Sequence, residues 1–159
     1  MGQFGFVDQI VDFKKGESLE ASFTLKGHEE FLQDHSEGFP VMPGVLMLEA
    51  LRQAASHLLA LSGDGQEPYY RLLRAEDIRF GQFVKPGSRL KLLVRVAVES
   101  GAGEKQIDGR IELLSPVGGK TERALKARMT LVAVQADDQG KQEMRQQLQA
   151  LLQSMRQER

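Results

Sequence analysis

The sequence predicts an α+β domain: a curved antiparallel sheet wrapped around one long central helix, with a second helix added at the C-terminus. Three observations lead there. The segment from Pro43 to Gly63 is apolar around most of its helical circumference, and such a helix must be enclosed by other elements. The stretches on either side alternate apolar and polar residues, the period-two signature of half-buried strands. From about Asp137 the pattern changes again, with Met144, Leu148, Leu151, Leu152 and Met155 on one helical face.

The elements follow in order. Phe4 to Phe13 is a mixed apolar run that ends at the turn signal Lys15-Gly16. Leu19, Ala21, Phe23 and Leu25 then alternate with polar neighbours as a strand. Pro43 and Gly44 open the central helix, since proline is tolerated at a first helical position, and Gly63 is expected to close it as a left-handed cap. Tyr69 to Val84 reads as two short extended pieces ended by Pro86-Gly87. Leu90, Leu92, Val94, Val96 and Val98 alternate strictly, and Ile107 to Leu114 and Leu125 to Val134 continue the sheet. The boundaries expected are a main domain over residues 1–136 and an amphipathic helical tail over 137–159, packed on its own domain or on a second copy.

Composition narrows the function. With 159 residues, 41% hydrophobic and 27% charged, the chain matches one ordinary globular domain. A formal charge of -1 offers no general attraction to nucleic acid or an anionic membrane. There are no cysteines, which excludes disulfides, thiolate nucleophiles and cysteine-based metal sites and agrees with a reducing compartment. Met1 to Asp12 lacks a basic stretch followed by a long apolar run, so no signal peptide is expected. Val41 to Leu61 is interrupted by Glu49, Arg52, Gln53, Ser56 and His57, too polar to span a bilayer. The cytoplasm is the expected location.

Chemistry concentrates between His35 and Gln53. A histidine precedes a loop with two glycines and two prolines before the helix, and Glu49 follows His35 by fourteen residues in the helix's second turn. Such a loop can hold a rigid shape and present helix N-terminal N–H groups to a carbonyl oxygen. Glu49 can be read as a charge that suits the helix start. Its sequence neighbours Leu46, Leu48, Ala50 and Leu51 instead suggest apolar surroundings, which would make it a proton donor near neutrality. His35 can be an ordinary loop histidine or a base; His28, in a polar stretch, and His57, late in the helix, are read as structural.

The run from His35 to Gln53 resembles the active-site motif of the bacterial 3-hydroxyacyl-acyl-carrier-protein dehydratases, the FabZ/FabA-like enzymes of the hot-dog fold. Pro40-Val41-Met42-Pro43-Gly44-Val45-Leu46 matches their motif residue for residue, and Glu49-Ala50-Leu51-Arg52-Gln53-Ala54 matches its continuation. Phe6-Val7-Asp8-Gln9-Ile10, Glu30-Phe31-Leu32, Ile78-Arg79-Phe80 and Val84-Lys85-Pro86-Gly87 resemble flanking segments, so the likeness spans roughly Phe4 to Val134. Ser36-Glu37 departs from the family's Phe-Pro, and Gly81 and Phe83 depart from its Arg and Pro. Glu rather than Asp at position 49 resembles the branch that dehydrates without isomerising.

The resemblance implies a division of labour. His35 removes the C2 proton of a 3-hydroxyacyl thioester, Glu49 protonates the departing hydroxyl, and the Gly44 N–H holds the thioester carbonyl. The Val41 carbonyl orients His35 and Gln53 supports Glu49, with no metal or cofactor. It further implies a site shared across an obligate homodimer, with a hexamer (a trimer of dimers) left open, and an apolar acyl tunnel beside the helix. The substrate would be an acyl-carrier-protein or CoA thioester, with neither nucleic acid nor membrane as partner. A cis peptide near His35-Ser36, costing about 3 kcal/mol, belongs to the same expectation. Two rivals stand beside it: a hot-dog thioesterase using a carboxylate on the same helix, and a non-catalytic acyl-thioester-binding homologue.

Overall fold

The alternating segments become six strands: β1 (Gln9–Lys14), β2 (Ser18–Thr24), β3 (Tyr70–Phe80), β4 (Arg89–Glu99), β5 (Glu104–Leu114) and β6 (Thr121–Ala133). They form one antiparallel sheet in the order β1-β2-β4-β5-β6-β3. The computed structural model describes residues 5–26, 41–63, 70–99, 103–114 and 121–134, with single positions of a helical stretch between 139 and 153. The central helix α1 (Gly44–Ser62) lies against the face that carries the apolar positions of the strands.

Burial follows the alternation. Leu19, Ala21 and Phe23 of β2, Leu90, Leu92 and Val94 of β4, Ile107 and Ile111 of β5, and Leu125, Met129 and Leu131 of β6 all turn inward. They meet Met47, Ala50, Leu51, Ala54 and Leu58 of α1 in one core. Each large aliphatic side chain fully buried this way contributes about 1.5–3 kcal/mol. On the outer face the register sets charges opposite one another: Asp108 faces Arg128 across β5 and β6, with Arg128 Nε 2.9 Å from Asp108 Oδ1. Leu151 of the C-terminal stretch is buried and belongs to the same core, so the tail contacts its own domain at that position.

Three local expectations are corrected. Tyr69 to Val84 was expected as two pieces, but β3 is one strand of 11 residues. Irregularities between Leu72 and Arg74 and between Glu76 and Arg79, with Asp77 at φ 53°, break its register without ending it. Pro43 is the residue before the first helical position, at φ -60° and ψ 143°: its ring fixes φ, and its ψ keeps it extended, outside the helix. Gly63 leaves the helix extended (φ -89°, ψ -172°) rather than left-handed, its N–H bonded to the Leu59 carbonyl at 3.1 Å. The Ser62 hydroxyl accepts the Gly16 N–H at 2.8 Å and ties this helix end to the β1–β2 turn.

Among the described residues no helix is long and apolar enough to cross a membrane.

Candidate active site

The helix start is the first part of the site. Met42 N–H donates to the Val84 carbonyl at 2.9 Å, which pins Met42 beside the segment linking β3 and β4. The Pro43 carbonyl accepts from the Leu46 and Met47 N–H groups at 3.0 and 3.1 Å, closing the first turn. The Gly44 N–H belongs to that first turn, where amides have no intrahelical acceptor and the helix dipole favours negative charge. A Cβ added at Gly44 would stand 2.7 Å from the Phe80 ring, so only glycine lets β3 approach the helix this closely without a shift.

Glu49 is the second part, and its surroundings differ from the expectation. Its carboxylate is not in an apolar pocket. Arg52 grips it with a fork, Nε to Oε2 at 2.8 Å and Nη2 to Oε1 at 2.8 Å. Gln53 Nε2 donates to Oε1 at 3.2 Å. The physical reason is helical geometry: Leu48 and Ala50 point away from Glu49, while residues three and four positions on share its face. Oε1 thus accepts two N–H donors and Oε2 one, leaving Oε2 able to accept from a hydroxyl or water.

The carboxylate's holders are themselves anchored. Arg52 Nη1 donates to the Tyr70 carbonyl at the start of β3, at 2.8 Å, and Gln53 Oε1 accepts the Phe6 N–H at 2.8 Å. The Arg52 side chain is 14% exposed and that of Glu49 37%, so the guanidinium is shielded while the carboxylate faces outward. Gln53 as a support of Glu49 therefore has the expected contact. Arg52 has no role in the sequence expectation, although the opposite charges at Glu49 and Arg52, three residues apart, are a signal for this contact.

The other expected residues stand as follows. His35, with its peptide bond to Ser36, lies outside the described residues. Val41 is buried, and Gly44 opens the helix a turn and a half before Glu49. Gly81, one of the departures, has a packing cause: an added Cβ would lie 2.0 Å from the Arg123 carbonyl oxygen, where Gly81 and Gln82 extend the pairing with β6. Val45 of the helix's first turn, Phe80 beside Gly44 and Phe83 after β3 are 73%, 58% and 65% exposed. Leu73 and Ile78 of β3, an edge strand of the sheet, are also exposed. An open groove lies elsewhere, on the outer sheet face, lined by Lys14, Arg95, Arg110 and Lys126 among others but not by Glu49.

A sheet wrapped around one helix, with a clamped carboxylate in that helix's second turn, defines a hot-dog protein with a polar centre on its central helix. The chain belongs to the FabA-like domain family, whose model matches residues 1–114. It is 34% identical over 133 residues to the 3-hydroxyacyl-acyl-carrier-protein dehydratase FabZ of Levilactobacillus brevis, covering 84% of this chain and 85% of that protein. FabZ of Pediococcus pentosaceus is 34% identical over 138 residues, 86% and 87% of the two chains. Among solved structures, the dehydratase heterocomplex ApeI:P from Xenorhabdus doucetiae has a TM-score of 0.61 at 13% identity, over 82% of this chain and 83% of that one. An acyl-CoA hydrolase from Staphylococcus aureus, in complex with butyryl coenzyme A, has a TM-score of 0.58 at 16% identity, over 76% and 67%. At those identities the structural likenesses carry the fold alone.

Proposed function

We propose that this chain dehydrates a 3-hydroxyacyl thioester, carried on an acyl-carrier protein or on CoA, to the trans-2-enoyl thioester in fatty acid or related acyl-chain biosynthesis. The observation that carries the reading is the anchored Glu49 carboxylate in the second turn of the helix, within a run that resembles the dehydratase motif, in a chain 34% identical to a dehydratase.

The reaction needs a proton taken from C2, a place for the charge that develops, and a route out for the hydroxyl. His35 accepts the C2 proton, a task suited to imidazole near neutral pH. The electron pair moves onto the thioester oxygen, where the Gly44 N–H and the helix dipole stabilise it. The pair then returns to form the C2–C3 double bond as the C3–O bond breaks. Glu49, carrying a proton at Oε2, delivers it to the departing hydroxyl directly or through a water, and water leaves; the proton held by His35 then passes to Glu49 and resets both groups. Gln53 keeps the carboxylate turned toward that hydroxyl, and the Val41 carbonyl orients the His35 ring.

In this reading two copies complete the site, His35 from one and Glu49 from the other, with a trimer of dimers as a further assembly. The exposed Val45 at the helix start and Phe80 at the end of β3 beside Gly44 support it, because exposed large apolar groups and an edge strand favour a covering surface. The acyl chain would run between the copies in an apolar tunnel beside α1. The reading places the reaction in the cytoplasm, in keeping with the absence of cysteine.

The experiment is an assay of 3-hydroxyacyl and trans-2-enoyl thioesters of several chain lengths on both carriers. Interconversion with no free thiol is the expected result. Thiol release without enoyl formation would replace dehydration with hydrolysis, and tight binding without conversion would make the chain an acyl-thioester-binding protein.

A further inference from the structure

Arg52 is the one charged side chain of the site to which the mechanism assigns nothing. An ion pair three residues apart on an open helix is worth only a few tenths of a kcal/mol and is free to swing. This one is built differently. Two parallel N–H donors meet both oxygens of Glu49 at 2.8 Å, and the third guanidinium nitrogen is bound to the Tyr70 carbonyl at 2.8 Å. The pair is therefore tied across to β3, and the arginine is the more shielded member, 14% against 37% exposed. On the other side Gln53 links the same carboxylate to the Phe6 N–H. One carboxylate is held between two separate parts of the sheet framework.

We propose that Arg52 is a positioning residue for the dehydration: it locks the Glu49 carboxylate in one orientation, with Oε2 presented to the hydroxyl at C3. The inference rests on Glu49 acting in catalysis, as set out above. It follows from the planar fork, which fixes direction as well as distance, a property that a lysine ammonium at the same place lacks. A carboxylate free to rotate spends much of its time misaligned, and misplacement on the scale of an ångström costs up to about a hundredfold in rate.

The test is a set of four purified variants, R52A, R52K, E49Q and R52A/E49Q, assayed for hydration of a trans-2-enoyl thioester, with melting temperatures measured in parallel. R52A is expected to lose about ten- to a hundredfold in kcat with KM within about twofold of the parent. R52K should recover only part of that loss. Adding R52A to E49Q should cost little more, because Arg52 acts through Glu49. A parent-like kcat in R52A alongside an inactive E49Q would overturn the role of Arg52 and leave the dehydratase reading intact. So would a full additional loss in the double variant. An active E49Q would remove the dehydratase assignment of Glu49 itself, and this inference with it. Should R52A not fold, R52K carries the decision: full parent activity there overturns the need for the fork.

Discussion

Glu49 and His57 stand about two turns apart on the same helix, and their surroundings are opposite. Around Glu49 every polar group has a partner: Arg52 and Gln53 hold the carboxylate and are held in turn by Tyr70 and Phe6. Around His57 it is otherwise. Ser56 and His57 are 1% and 2% exposed, and among the described residues neither the Ser56 hydroxyl nor either ring nitrogen of His57 has a hydrogen-bond partner. A buried polar atom without a partner costs roughly 1–3 kcal/mol. The first half of the helix therefore spends its polar residues on orientation near the surface, whereas the second half carries polar residues that weaken the fold. Arg52 links the two, because its charge adds to burial in pushing His57 down to about 4.

Three outcomes would break or sharpen that contrast, Arg52 aside, beginning with the largest. Replacing Glu49 by Gln should reduce enoyl thioester hydration by about a hundredfold or more while the melting temperature moves little, since acid–base groups contribute on that scale. A folded, fully active E49Q would move function off this half of the helix.

The next effect belongs to His57 and appears in stability rather than rate. In the unfolded chain its imidazole takes up a proton near 6.5, in the folded protein only near 4. Between those values the unfolded state binds more protons, so stability is full above pH 6.5 and falls as the pH drops toward 4. The loss amounts to about 3 kcal/mol at the acid end. In H57L, urea unfolding at pH 5 and pH 7 should differ less than in the parent. An undiminished pH dependence in H57L would assign the acid sensitivity to other groups. Smaller still, Ser56→Ala should stabilise the protein by about 1 kcal/mol, because it removes a hydroxyl with no partner. Destabilisation of similar size would mean that the hydroxyl is satisfied in solution.

The same contrast explains what could be read in the sequence. The helix and the strands were legible because burial on one face forces a period, and Leu90, Leu92 and Val94 or Leu51, Ala54 and Leu58 display it directly. The motif from Pro40 to Leu46 located the helix start, and Gln53 was expected beside Glu49 and is found there. The environment of Glu49 is not legible in its immediate sequence neighbours, because Leu48 and Ala50 point away from it on the helix. The residues that touch it are three and four positions on, Arg52 and Gln53. His57 was read as structural, and nothing in its sequence context says that it lacks a partner: that depends on distant strands. Gly81 looked like a departure from a functional pattern and is explained by the Arg123 carbonyl against it, a contact between residues far apart in the chain.

The most direct measurement of the central claim mixes two dead proteins. H35A and E49Q, each expected to be inactive alone, are unfolded together, refolded as a mixture and assayed for enoyl thioester hydration. If His35 of one copy works with Glu49 of another, half the dimers are hybrids with one intact site of two, and activity returns to about one quarter of the parent's. No recovery, with hybrids shown to form, would contradict a shared site built on these two residues.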